Sequence, residues 1–352
     1  MVVAFSRPSR GRRWPTGRMR VSVPTASDNC NHNNVPLATS TACGNTSSTM
    51  KLKFHTLDVF TTQKFCGNPL AVVLDADRLS TAQMQTITRE FNLSETTFVM
   101  QPENPAHTAK VRIFYPGGEM PFAGHPTLGT AALLAELKQK PGCSFETKIM
   151  LELPAGLTPV TITRIADRIA GVFTVPVVPQ HIPGPLPAIA DVAKALGLSV
   201  SEIGFDRHGL ANIVGGPRFF YIPLESLDAL ARARVREPMW TEMLAPLGHM
   251  NAGYLYARGG SNKDTDFRAR MFDPGGGIAE DPATGSATAL LAAQLLKAEQ
   301  LKDGTHRWQL QQGYEMGRPS ELRLEADVKD SKLTAVRVGG SAVRMMSGEI
   351  EI

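Results

Sequence analysis

Little in this chain serves the commoner kinds of enzyme chemistry. It has only four cysteines, and Cys30 and Cys43 stand in the first 49 residues. Cys66 and Cys143 remain, at no metal-ligand or redox spacing, so neither a zinc cluster nor a dithiol pair is expected, and a reducing, cytoplasmic setting fits. No apolar run is long enough to cross a bilayer, which argues against a membrane partner. The glycine-rich loops lack the Gly-Lys-Ser/Thr of a phosphate loop and the G-x-G-x-x-G of a dinucleotide site. Ser286 follows Gly285 but has Thr284 and Ala287 around it, so a G-x-S-x-G nucleophile elbow is missing too. No lysine stands at these loops to form a Schiff base. The expectation is a protein that uses no metal and no organic cofactor.

A surplus of charge is also absent once its place is noted. The formal net charge is +4, but Arg7, Arg10, Arg12, Arg13, Arg18 and Arg20 face a single acid, Asp28, in residues 1–49. That tail therefore carries +5 and the rest of the chain about −1, which gives no case for a nucleic-acid partner. Residues 1–49 are rich in Arg, Ser, Thr, Asn and Pro without apolar periodicity, and are expected to form a disordered basic tail. Arginines with serines and no acid before Asp28 also suit an organellar import signal. The alternative is an extension without a role, because Met50 directly precedes the first strand pattern, K-L-K-F-H-T-L-D-V-F.

What the chain does have is an internal repeat, the feature to seek before any other. R-I-F-Y-P-G-G-E-M-P-F-A-G-H-P-T-L-G-T-A-A-L-L, from Arg112 to Leu134, reappears as R-M-F-D-P-G-G-G-I-A-E-D-P-A-T-G-S-A-T-A-L-L, from Arg270 to Leu291. Arg112 matches Arg270, Phe114 matches Phe272 and Pro116-Gly117-Gly118 matches Pro274-Gly275-Gly276. Allowing two extra residues in the first loop, Pro126 matches Pro282, Gly129 matches Gly285, and His125 falls beside Asp281. Each copy reads as a short strand, a Pro-Gly-Gly turn, a small-residue loop and an Ala/Leu helix, about Leu128–Leu137 and Ala287–Leu296. Those helices are apolar nearly all round, which marks them as buried.

The remaining pattern is short strands with few helices. Ser80 caps a helix ending near Phe91, and another covers Ile189–Leu196. Strands are expected near Leu70–Leu74, Thr97–Met100, Phe219–Ile222, Gly253–Ala257, Leu333–Val338 and Ala342–Met346. Five prolines between Pro176 and Pro187 mark a boundary. The fold class is α+β: two pseudo-symmetric domains, 50–178 and 179–342, each a curled, mostly antiparallel sheet around a central apolar helix.

The candidate chemistry lies at the two helix starts. Unpaired N–H groups and the positive end of a helix dipole make an anion site, so two facing ones suit a small carboxylate-bearing molecule. The N–H groups of Gly285 and Ser286 fit that task, although Ser286 equally suits a helix cap. His125, in A-G-H-P-T, is placed either for substrate contact or as a capping residue. Asp281, in E-D-P-A-T-G-S, is either a site acid or a turn aspartate before proline. Glu95, in N-L-S-E-T-T-F, leads into an apolar strand where burial raises a carboxyl pKa towards neutrality; its plain alternative is a surface residue at a strand end. The corresponding place in the second half, near Asn251 and Ala252, has no acid.

Five motifs in order resemble the PhzF family, the phenazine-biosynthesis-like isomerases that share the diaminopimelate epimerase fold. They are F-C-G-N-P-L-A-V-V-L, N-L-S-E-T-T-F, F-Y-P-G-G-E-M-P-F-A-G-H-P-T, D-P-G-G-G-I-A-E-D-P-A-T-G-S-A and Q-G-Y-E-M-G-R-P-S, and the likeness runs from about Met50 to Ile352. The resemblance implies an inter-domain cleft and a last strand, 343–352, that returns to the first domain. It implies that Glu95 is the acid/base and that His125, Asp281 and Ser286 contact substrate; the expected catalytic residues are Glu95, Asp281 and His125, with Gly124 and Gly285 at the helix starts expected to bind substrate. It also implies a homodimer. The epimerase relatives use paired cysteines at the helix mouths, and none stands there in this chain. The family's name-giving reaction isomerises a dihydro-hydroxyanthranilate by removing a ring proton and replacing it elsewhere. An epimerase or racemase of a related acid, and a silent ligand-binding protein, are the other readings.

Overall fold

Two stretches of alanine and leucine decide where the core lies. Helices Gly124–Lys138 and Gly285–Glu299 are apolar on every face, and nearly every residue of their first three turns is buried. No face of such a helix suits water, so each must be wrapped by a sheet that buries it on all sides. The computed structural model describes residues 50–140, 142–248 and 252–352. The tail expected at 1–49, and Asn251, lie outside the described residues.

In chain order the first half holds β1 (Lys51–Val59), β2 (Asn68–Val73), α1 (Thr81–Phe91), β3 (Glu95–Met100), β4 (Ala109–Tyr115) and β5 (Gly118–Met120). It continues with α2 (Gly124–Lys138), β6 (Phe145–Leu153), β7 (Gly156–Ile165) and β8 (Arg168–Thr174). Then come β9 (Gln180–His181), α3 (Ile189–Leu196), β10 (Ala211–Val214), β11 (Arg218–Pro223), α4 (Leu227–Arg232), α5 (Met239–Leu244) and β12 (Gly253–Arg258). The chain ends with β13 (Phe267–Asp273), β14 (Ile278–Asp281), α6 (Gly285–Glu299), β15 (Gly304–Gln312), β16 (Ser320–Lys329) and β17 (Lys332–Glu351). Among the described residues no helix is long and apolar enough to cross a membrane.

The pairing order of the first half recurs in the second. Strand β2 pairs parallel with β3, β3 antiparallel with β4, β4 parallel with β6, and β6, β7 and β8 follow antiparallel. Strand β11 pairs parallel with β12, β12 antiparallel with β13, β13 parallel with β15, and β15, β16 and β17 follow antiparallel. Helix α2 packs on β1, β2, β3, β6, β7, β8 and β17, while α6 packs on β9, β10, β11, β16 and β17.

Strand β17 corrects one expectation. The Gly339-Gly340 pair suggests a break between two strands, yet one 20-residue strand runs through it. These glycines serve close approach instead: a Cβ on Gly340 would lie 2.4 Å from Phe60 Cδ1, and one on Gly339 would lie 3.0 Å from the Gly171 carbonyl oxygen. Along its length β17 pairs first with β16, then with β8, and from Ala342 to Glu351 with β1.

The register of the repeat is also corrected. Strands β5 and β14 end at Met120 and Asp281, and the helices start at Gly124 and Gly285. Arg112 forms a bidentate pair with Glu119, and Arg270 forms the same pair with Glu280. Glu119 therefore matches Glu280, and the extra residues are Gly277, Ile278 and Ala279 in the second turn. His125 is the counterpart of Ser286, and Met120 that of Asp281. Matching Gly129 to Gly285 misled, because Gly129 lies inside α2, where a Cβ would meet Leu70 and Val59.

Candidate active site

Three consecutive residues at the start of β2 hold the ionisable groups. Leu70 is in register with Glu95 across the parallel β2–β3 pair. The Pro69 carbonyl accepts a hydrogen bond from the His125 ring. The Asn68 amide donates to Asp281 Oδ1 at 2.8 Å and to the Ala283 carbonyl at 2.9 Å. Chain segments more than 200 residues apart thus meet at one point.

Glu95 is 8 % exposed, His125 4 % and Asp281 6 %, so the strand-end surface glutamate is not what the fold builds. Glu95 Oε2 lies 3.1 Å from His125 Nε2, but the two atoms are not aligned for a hydrogen bond, and both lack any other partner. The closeness does not make an ion pair. Burial, with the Asp281 charge as a second cause, holds the Glu95 carboxyl well above the ordinary range, and burial pushes His125 down to about 3 despite the Pro69 bond. The pair is a carboxyl shifted towards its protonated form beside a neutral imidazole.

Asp281 is the complementary acid. Burial raises it to about 6, while bonds from Thr284 and Asn68 favour its charged form. Its Oδ2 accepts from Thr284 Oγ1 at 2.5 Å. Gln312 completes the frame: its Nε2 donates to the Asp281 carbonyl at 2.8 Å and to Thr284 Oγ1 at 2.9 Å, and its Oε1 accepts from Thr284 N at 3.1 Å. Burial shifts Glu95 towards its protonated form, while the bonds to Asp281 favour its charge, a separation that two similar carboxyls acquire only from different surroundings.

The two helix starts face each other. A Cβ on Gly124 would lie 3.0 Å from Gly285 Cα and 3.1 Å from Ser286 N. Neither helix has a side-chain N-cap bond, so the first N–H groups of both remain open to an anion. Ser286 is partly exposed, and Ala252, 1 % exposed, stands where the first half has Glu95. Two clefts, of about 1090 Å³ and 700 Å³, lie elsewhere and are not lined by Glu95, His125 or Asp281. Buried polar atoms without partners locate this site better than concavity does. No group of three or more His, Cys, Asp or Glu placed for a metal occurs among the described residues.

Sequence reasoning missed Asn68 and Gln312 as members of this arrangement. Each lies in a motif already noted, F-C-G-N-P and Q-G-Y-E-M-G-R-P-S, but polar residues beside a turn give no sign of partners 213 positions away, as for Asn68, or 28 and 31 away, as for Gln312.

Asp281→Asn gives a test of the buried charge. A raised folded pKa means that the folded protein binds more protons than the unfolded chain between about 4 and 6, so stability falls as pH rises through that window. The asparagine variant does not titrate there. Its stability relative to the unaltered protein should rise between pH 4 and 6 by on the order of 3 kcal/mol and then level off, while affinity for a carboxylate ligand and its orientation suffer. Denaturant melts across pH check this; a flat difference would mean Asp281 ionises as an ordinary surface acid.

Comparison with known proteins identifies the family. The family model described as "Phenazine biosynthesis-like protein" matches residues 57–348. An uncharacterised isomerase of Mesorhizobium japonicum is 42 % identical over 84 % of this chain and 97 % of its own length. The trans-2,3-dihydro-3-hydroxyanthranilate isomerase of Pseudomonas fluorescens is 36 % identical, again over 84 % and 97 %. The crystal structure of a PhzF-family phenazine biosynthesis protein of Bacillus anthracis superposes with a TM-score of 0.75 at 24 % identity, covering 86 % of this chain and all of that one, which speaks for the fold. The chain is an isomerase. It belongs to the phenazine biosynthesis-like family, PhzC-PhzF.

Proposed function

We propose that this isomerase moves a proton between carbon atoms of a small carboxylate-bearing metabolite, without a cofactor, in a cleft between two pseudo-symmetric domains. One observation carries the reading. A buried carboxyl, Glu95, pushed well above its ordinary range by burial, stands without a hydrogen-bonded partner beside an imidazole nitrogen that is also unpaired.

Glu95 rests as an acid. It gives its proton to one carbon of the bound metabolite and, as a carboxylate, takes a proton from another, so the protein ends as it began. His125, neutral and fixed through Pro69, keeps Nε2 3.1 Å from the Glu95 carboxyl, within reach of its proton once bound substrate aligns the two. Asp281, held by Asn68, Thr284 and Gln312, keeps one negative charge in the site and balances positive charge that develops on the substrate. The N–H groups at Gly124, His125, Gly285 and Ser286 hold the substrate carboxylate between the two helix dipoles. The likeness to a dihydro-hydroxyanthranilate isomerase makes a cyclic amino or hydroxy acid the first substrate class to try, and the family resemblance extends the proposal to a homodimer.

The test is deuterium incorporation from D₂O into a panel of small carboxylic acids, including cyclic dienes, followed by mass spectrometry and product identification. Exchange with net conversion to a positional isomer is the expected result. Exchange with inversion alone would make the protein an epimerase, and no exchange in any acid that binds would leave only a binding protein.

A further inference from the structure

Two motifs, F-C-G-N-P at 65–69 and Q-G-Y-E-M-G-R-P-S at 312–320, have so far supplied only positioning bonds, and the fold clamps one on the other. Arg318 donates to the carbonyls of Gly67 and Cys66 at 2.8 Å and 2.9 Å and to Asp58 Oδ1 at 2.7 Å. Gly67 N donates in return to the Pro319 carbonyl at 3.1 Å. The other Asp58 oxygen accepts from Phe65 N at 2.7 Å. Every bond of this clamp fixes the loop that delivers Asn68.

Asn68 has no exposed surface. Its two nitrogen bonds both go to atoms that only accept, Asp281 Oδ1 and the Ala283 carbonyl, so the amide has one possible orientation. Its Oδ1 is then a buried acceptor without a partner. Such an atom is costly to bury if nothing ever reaches it. The helix starts supply donors that suit a carboxylate, whereas Asn68 Oδ1 has use only for an N–H or O–H group.

We infer that Asn68 is a further residue of the site, whose NH₂ group positions Asp281 and whose Oδ1 accepts a hydrogen bond from an amino or hydroxyl group on the bound acid. This rests on the reading of the helix starts as a carboxylate site. It selects acids carrying a donor over acids of the same shape without one.

Calorimetric titration with benzoate and 2-aminobenzoate, which differ by one donor group, tests it on the unaltered protein, Asn68→Ala and the milder Asn68→Ser. The unaltered protein should bind 2-aminobenzoate about 3- to 10-fold more tightly, and both variants should lose that preference. The acid limb of binding should also move to higher pH in the variants, because an Asn68 bond helps to keep Asp281 charged. Equal binding of the two probes by the unaltered protein overturns the inference whether or not the variants fold. So does a preference that survives in a folded variant. Failure of both probes to bind the unaltered protein would instead bring down the carboxylate site on which the inference stands.

Discussion

Glu95→Gln should lower kcat by about 10²–10⁴-fold or more and leave carboxylate binding almost unchanged. The amide matches the carboxyl in size, and burial already favours the uncharged carboxyl, so the substitution changes little in the empty protein. What it removes is the capacity to give a proton and take one back. Binding survives because the N–H groups of the two helix starts, not Glu95, hold the carboxylate. A turnover assay and a ligand titration on the same preparation separate the two effects. Turnover like that of the unaltered protein would reduce Glu95 to a buried strand-end residue and end the proposed mechanism.

How much of this was readable beforehand depends on the distance over which each signal acts. Local signals read well. Ser80 forms a capping box with Gln83 and starts α1, and α3 spans Ile189–Leu196 as its periodicity predicts. Burial of the Ala/Leu helices followed from composition alone, since no face of either was fit for water. Short elements read poorly: α4 and α5 have six residues each, too few for a periodic pattern, although Trp240 on α5 is fully buried. The start of α2 was placed late because Pro126 resembles a boundary, while proline is well tolerated in a first turn. The site was legible as residue types but not as an arrangement. Glu95 and His125 come together through a parallel strand pair and a Pro69 carbonyl, and Asn68 reaches Asp281 across 213 positions. None of these contacts leaves a trace in local sequence. The repeat was clear, yet its register depended on the Arg112–Glu119 and Arg270–Glu280 pairs, which only folding reveals.

Gly124→Ala should cost activity by up to about 10²-fold although it touches no ionisable group. Alanine at a helix start is favoured over glycine by about 0.5–1 kcal/mol, so local propensity alone predicts a gain. Packing opposes it. The new methyl would stand 3.0 Å from Gly285 Cα and 3.1 Å from both Gly285 C and Ser286 N, and all three are backbone atoms that cannot rotate away. Overpacking of this kind costs about 1–3 kcal/mol, which exceeds the propensity term. The relief available is for α2 and α6 to part by a few tenths of an ångström, and that widens the one place where their N–H groups converge. His125, the next residue, moves with α2, so its 3.1 Å approach to Glu95 is disturbed as well. The expected variant melts at a lower temperature, binds carboxylates more weakly and turns over slowly, whereas Gly209→Ala is a fair control for glycine loss because a Cβ there meets nothing within 4 Å and its backbone lies outside the left-handed region. Thermal melts, ligand titration and turnover on the two variants decide the matter. If Gly124→Ala melts higher and keeps full activity, the helix starts do not meet closely enough to share one carboxylate, and the two-mouth site must be given up.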